Sequence, residues 1–154
     1  MPNTSTTHTK VIRYLSIGIF LISLACPCYD TGKEDGVVGQ GGLLLLSGIM
    51  WFMFMSPGFI WLANVCLLMS WTYASKKRDK SFIMSIVAIL IALCFLLYKD
   101  MIIDEGGNTT PITGHRIGYW LWVASMLVML LGNFYIQMFF GGDDRKPISP
   151  EPRR

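Results

Sequence analysis

Two thiols flank a proline at Cys26-Pro27-Cys28. Paired soft sulfurs suit Cu(I), so Cys26 and Cys28 are the candidate metal ligands. Met50, Met53 and Met55 would add thioethers if the following segment packed alongside. A disulfide within Cys-x-Cys would be strained. The later loop Lys99–Ile117 carries no cysteine to serve a relay. The other two of the four cysteines, Cys66 and Cys94, sit inside apolar runs and act as small packing residues. There is no Ser-His-Asp set, HExxH motif or carboxylate pair placed for hydrolysis. The expectation is a non-enzymatic chain with no cofactor.

The elements that must position the thiols are apolar. Hydrophobic residues make up 53% of 154 residues, and the mean hydropathy is +0.48. These residues fall in separate long blocks, which calls for a bilayer rather than a large soluble core. The net charge of +3 lies in loops and tails and is no signature of nucleic-acid binding.

The longest block, Leu43–Ala74, contains no Asp, Glu, Lys or Arg. As one straight helix it would measure ~48 Å, against ~30 Å of hydrocarbon. Ser56-Pro57-Gly58 supplies the break, since proline removes a donor and clashes with the preceding turn. The first piece, to Met55, is either a re-entrant segment or part of one kinked crossing. Basic residues at Lys10/Arg13, Lys76–Lys80 and Arg145/Lys146/Arg153/Arg154 share one side if the whole block crosses once, and Lys/Arg bias places that side in the cytoplasm.

The expected fold is an all-α integral membrane four-helix bundle, its second helix long and broken. Crossings fall at about 11–28, 43–74, 82–98 and 118–140, making a domain of 10–140. Disordered cytoplasmic tails flank it at 1–9 and 141–154. A rival reading makes the first block a secretory signal with a lipoprotein site at Ala25-Cys26, but Ser23 stands where such a site ordinarily has Leu. Asn108-Thr109-Thr110 fits a glycosylation pattern, and His115 is an exposed loop histidine. His8, in the tail, is expected to be inert.

Small and amide residues mark the helix contacts. Ser81/Ser85 and Ala88/Ala92 recur every fourth residue, while Gly118, Ser125 and Gly132 recur every seventh, a seam for left-handed packing. Asn64, Asn133 and Gln137 are the polar groups placed to bond across helices. The candidate packing residues are thus Asn64, Ser85, Ala92, Ser125, Gly132, Asn133 and Gln137. Tyr119, Trp120 and Trp122 form an aromatic belt at the start of the last crossing.

Pro27-Cys28-Tyr29, Trp61-Leu62-Ala63-Asn64, Asp104-Glu105-Gly106-Gly107 and Gly118-Tyr119-Trp120-Leu121-Trp122 together resemble a loose group of uncharacterised small bacterial inner-membrane proteins with four transmembrane helices. Val65 departs from the proline that group often carries after Ala-Asn. The resemblance implies a multi-pass protein of the plasma (inner) membrane and no activity. Cys-Pro-Cys alone resembles the passage motif of copper-pumping ATPases. The first expectation is a partner-binding, immunity or accessory subunit, its partners the lipid bilayer and either another protein or further copies of itself. A homo-oligomeric, holin-like pore is the alternative, and copper handling is the third.

Overall fold

A computed structural model of the chain describes residues 4–31, 40–54, 58–102 and 109–140. Ser56-Pro57, the Asp104–Gly107 turn, Asn108 and the tail 141–154 lie outside the described residues, as do Met55 and the side chains of Met50 and Met53.

The fold is an all-α bundle. Among the described residues five α-helices follow one another: α1 (Thr4–Ala25), α2 (Gly41–Phe54), α3 (Leu62–Tyr73, preceded by a 3-10 turn Gly58–Trp61), α4 (Arg78–Cys94, continued by 3-10 Phe95–Leu97) and α5 (Ile117–Phe140). Two antiparallel strand pairs join the loops at one end. β1 (Tyr29–Asp30) pairs with β4 (Gly114–His115), and β2 (Asp100–Ile102) with β3 (Thr109–Pro111). Ser5–Ala25, Arg78–Leu97 and Ile117–Phe140 are long and apolar enough to cross a membrane, and Gly58–Tyr73 is a shorter apolar helix.

The first helix corrects the expected tail. It begins at Thr4, and Ser5 and Thr9 are buried. Thr9 Oγ1 donates to the Ser5 carbonyl at 2.9 Å, so a polar side chain satisfies itself on its own helix. His8, expected to be inert, stacks on Phe140 and meets Tyr135 edge-on. The helix ends at Ala25, short of the expected Cys28.

The break in the second block is a reversal. The Trp61 indole N–H donates to the Leu45 carbonyl at 2.9 Å, and Gly48 lies against the same ring. In an unbroken helix Gly48 and Trp61 would stand ~20 Å apart. Gly41 N–H donates to the Cys26 carbonyl, so α2 starts where α1 ends. Ile60 packs with Tyr29, Phe95 and Tyr119 at that same end. From Phe54 to Gly58 the chain can reach only ~14 Å, so both ends of α2 belong to that half of the bundle. α2 is therefore an arm that leaves and returns. Four other segments run end to end: α1, Gly58–Tyr73, α4 and α5.

The two ends are chemically distinct. One, the loop end, gathers Cys26–Asp30, Gln40–Gly41, Phe95 and Arg116–Tyr119. The other, the basic end, is tied by Arg78 donating to Ser5 Oγ and by Gln137 Nε2 donating to Asp79 at 3.3 Å. Between them lies a core of Phe20, Ala63, Leu67, Trp71, Ala74, Ala88, Ala92, Met126 and Met129.

Candidate functional site

At the loop end the Cys-Pro-Cys segment works through its backbone. The Cys26 carbonyl accepts Gly41 N–H at 3.1 Å, the Pro27 carbonyl accepts Gly118 N–H at 2.9 Å, and the Cys28 carbonyl accepts Arg116 N–H at 2.8 Å. Pro27 also bridges to Gln40. Three consecutive carbonyls thus lock the end of α1 to the starts of α2 and α5. Gly118 is required by this closeness: a Cβ there would lie 2.6 Å from the Cys26 oxygen and 2.7 Å from that of Pro27.

The thiols themselves are free. Cys28 Sγ makes only a long contact, 3.9 Å, to the Cys26 carbonyl. Burial, helped by the neighbouring Cys26, pushes the Cys28 thiol from an ordinary 9.0 up to about 11. The protonated form that results is a poor ligand and a poor nucleophile. Among the described residues, no cluster of three His, Cys, Asp or Glu is placed to hold a metal ion.

Beside this clamp an aromatic group fills the loop end. The His115 ring sits between Phe95 (5.4 Å) and Tyr119 (4.9 Å), so it is packed rather than an exposed loop residue. Among the described residues its Nε2 has no partner. Asp30 and Arg116 form an exposed ion pair above it.

The amides and small residues do meet across helices. Trp122 Nε1 donates to Asn64 Oδ1 at 2.7 Å, linking α5 to α3. Asn133 Nδ2 donates to Ser81 Oγ at 2.9 Å and reaches Ser85 Oγ at 3.4 Å, linking α5 to α4. Ser81 in turn exchanges bonds with Ser70, its hydroxyl donating to the Ser70 carbonyl at 2.8 Å while Ser70 Oγ donates to the Ser81 carbonyl at 3.0 Å. The Ala92 carbonyl accepts the Tyr119 hydroxyl at 3.1 Å. The Ser125 carbonyl accepts Ser16 Oγ at 2.7 Å, and Gly132 lies against Ile12. Gln137 also bonds across helices, its Nε2 donating to Asp79 of α4 at 3.3 Å, but at the exposed basic end rather than in the buried interior.

The partner of the α5 seam is a seam on α1 that the sequence reading passed over. Thr9, Ser16 and Ser23 recur every seventh residue and are all buried. In the antiparallel pair Ser16 bonds at Ser125, Ile12 meets Gly132, and the end of α1 past Ser23 meets Gly118. Trp71 was also missed. Its indole N–H donates to Ser16 Oγ at 2.9 Å, and its ring meets Phe20 edge-on at 5.5 Å. The spacing of α1 carried the first signal, and nothing in the sequence carried the second. No family model matches the chain, and neither the curated proteins nor the solved structures provide a match.

Proposed function

We propose that this chain is a non-enzymatic accessory subunit that binds a partner protein within the plasma (inner) membrane of a bacterium. The observation that carries this reading is α2, a helical arm hinged at one end of the bundle. It is fixed by Gly41 on Cys26 and by Trp61 on Leu45, and it turns Leu43 and Leu46 outward. Buried hydroxyls and amides of the bundle are bonded to backbone carbonyls or to one another, which fits a rigid mount rather than an aqueous path. In this reading Ser5–Ala25, Gly58–Tyr73, Arg78–Leu97 and Ile117–Phe140 cross, α2 is re-entrant, and both termini are cytoplasmic. The Gly58–Tyr73 crossing, ~26 Å long, is short for ~30 Å of hydrocarbon.

A photo-crosslinker at Leu46, with a second at the exposed Leu131 of α5, tests the arm in cells. A discrete adduct from position 46 that is missing from position 131 is the expected outcome. Lipid adducts alone at both positions would remove the proposal. Orientation is tested by Lys77→Cys with the native cysteines replaced: labelling from the cytoplasmic side supports it, and labelling only from outside overturns it.

A further inference from the structure

We propose that the basic end holds the headgroup of an anionic phospholipid on the surface between α1 and the α3–α4 turn, an inference that rests on the membrane reading above. α1 packs closely on α5, while its approach to α3 is carried by side chains, Trp71 reaching Ser16 and Phe20. At the basic end Arg78 ties the start of α4 to α1 by donating to Ser5.

Four cations border this surface. Arg13 precedes Phe20 by two helical turns and so shares the face that meets Trp71. Its guanidinium lies 5.3 Å over the exposed Tyr14 ring. Lys10 stands one turn nearer the end, fully outward. Lys76 and Lys77 follow α3 in the turn, their amides folded back on the Tyr73 carbonyl and their side chains exposed. Among the described residues the acid of this end is Asp79, which is turned toward Gln137 on α5 and pairs with none of the four cations. Tyr14, exposed beside Arg13, continues the apolar surface that an acyl chain would follow. Basic side chains at a membrane surface attract anionic lipid, and a phosphate diester beneath an acyl chain meets both halves of this surface. Lys80 is the internal control. It follows Arg78 by two residues, so when Arg78 reaches α1, Lys80 lies on the far face of α4.

The test reconstitutes the purified full chain into phosphatidylcholine vesicles with increasing phosphatidylglycerol and follows the unfolding midpoint by tryptophan fluorescence. In the wild type the midpoint should rise and saturate, with the rise weakened by salt. Each of Lys10→Gln, Arg13→Gln, Lys76→Gln and Lys77→Gln should weaken the apparent affinity for phosphatidylglycerol ~5-fold, and Lys80→Gln should leave it unchanged. A midpoint indifferent to phosphatidylglycerol, or a loss with Lys80→Gln equal to the others, overturns the site. So does inorganic phosphate over phosphatidylcholine vesicles reproducing the rise. Recovery of the chain with pure phosphatidylcholine vesicles after an alkaline wash tests the membrane reading separately.

Discussion

Gly118→Ala is expected to be strongly damaging. The new Cβ would meet the Cys26 oxygen at 2.6 Å, the Pro27 oxygen at 2.7 Å and the Pro27 carbonyl carbon at 2.9 Å. Ordinary contact begins near 3.4 Å, so the start of α5 must retreat about 0.8 Å from the end of α1. The obstructing atoms are backbone, held by the bonds from Gly41 and from Gly118 itself, and no rotamer change relieves them. Overpacking of this kind costs ~1–3 kcal/mol. Stretching the Gly118–Pro27 bond adds ~1 kcal/mol, and the better helix propensity of Ala returns less than ~1 kcal/mol. The net loss of ~2 kcal/mol lowers the folded-to-unfolded ratio ~30-fold. Reversible unfolding in mixed micelles, followed by tryptophan fluorescence, measures it. Gly132→Ala is the contrasting case, because its Cβ meets the Ile12 side chain. Ile12→Ala should therefore rescue Gly132→Ala and do nothing for Gly118→Ala. Wild-type stability for Gly118→Ala, or equal rescue of both, would refute the account of the α1–α5 seam.

Three further outcomes are expected. Asn133→Ala removes the donor to Ser81 and should cost ~0.6 kcal/mol or somewhat more in the same unfolding assay, while Asn133→Asp, which cannot donate when ionised, should cost more than Ala. Cys28 alkylation in the folded chain should be slow at neutral pH and rise as pH approaches about 11. Because its folded pKa lies above the ordinary 9.0, the stability it lends is full below that pH and declines as pH climbs from there toward about 11; copper titration of the wild type should match that of Cys26→Ser/Cys28→Ser. Trp61→Phe keeps the ring on Gly48 but loses the bond to Leu45, so amide exchange in α2 should accelerate while that in α5 does not.

Much of the bundle was legible because apolar length and small-residue spacing are local signals. Gly118, Ser125 and Gly132 could be read as a seam from their numbers alone. The matching Thr9, Ser16 and Ser23 had the same spacing, yet Thr9 fell in a Thr/Ser-rich stretch whose polarity suggests a tail. Its hydroxyl instead bonds the Ser5 carbonyl one turn back, as Ser23 bonds Phe20, and such internal satisfaction lets a polar residue live in an apolar helix. Pro57-Gly58 announced a break but not its angle. Proline fixes one dihedral and deletes one donor, whereas the reversal is fastened by Trp61 on Leu45, a contact no local pattern encodes. Cys-Pro-Cys drew attention for its sulfur, but the structure uses its carbonyls, which every residue type possesses.

The reversal at α2 also explains why the basic residues gather as they do. Were Leu43–Met55 a crossing of its own, Lys76–Lys80 would end opposite the start of α1. Arg78 instead bonds Ser5, and His8 stacks on Phe140, so the helix starts and ends that carry Lys10, Arg13 and Lys76–Lys80 meet at one pole. This grouping follows from contacts and owes nothing to a rule about loop charge. In a bilayer the rule would act on a unit already assembled, since cations fixed at one pole would give the whole bundle a single preferred orientation. Among the described residues the loop end has no such bias: Asp30 neutralises Arg116 there, and Lys99 stands next to Asp100. In the membrane arrangement proposed above, the arm therefore sets the parity of the chain, and through it the pole that anionic headgroups would meet.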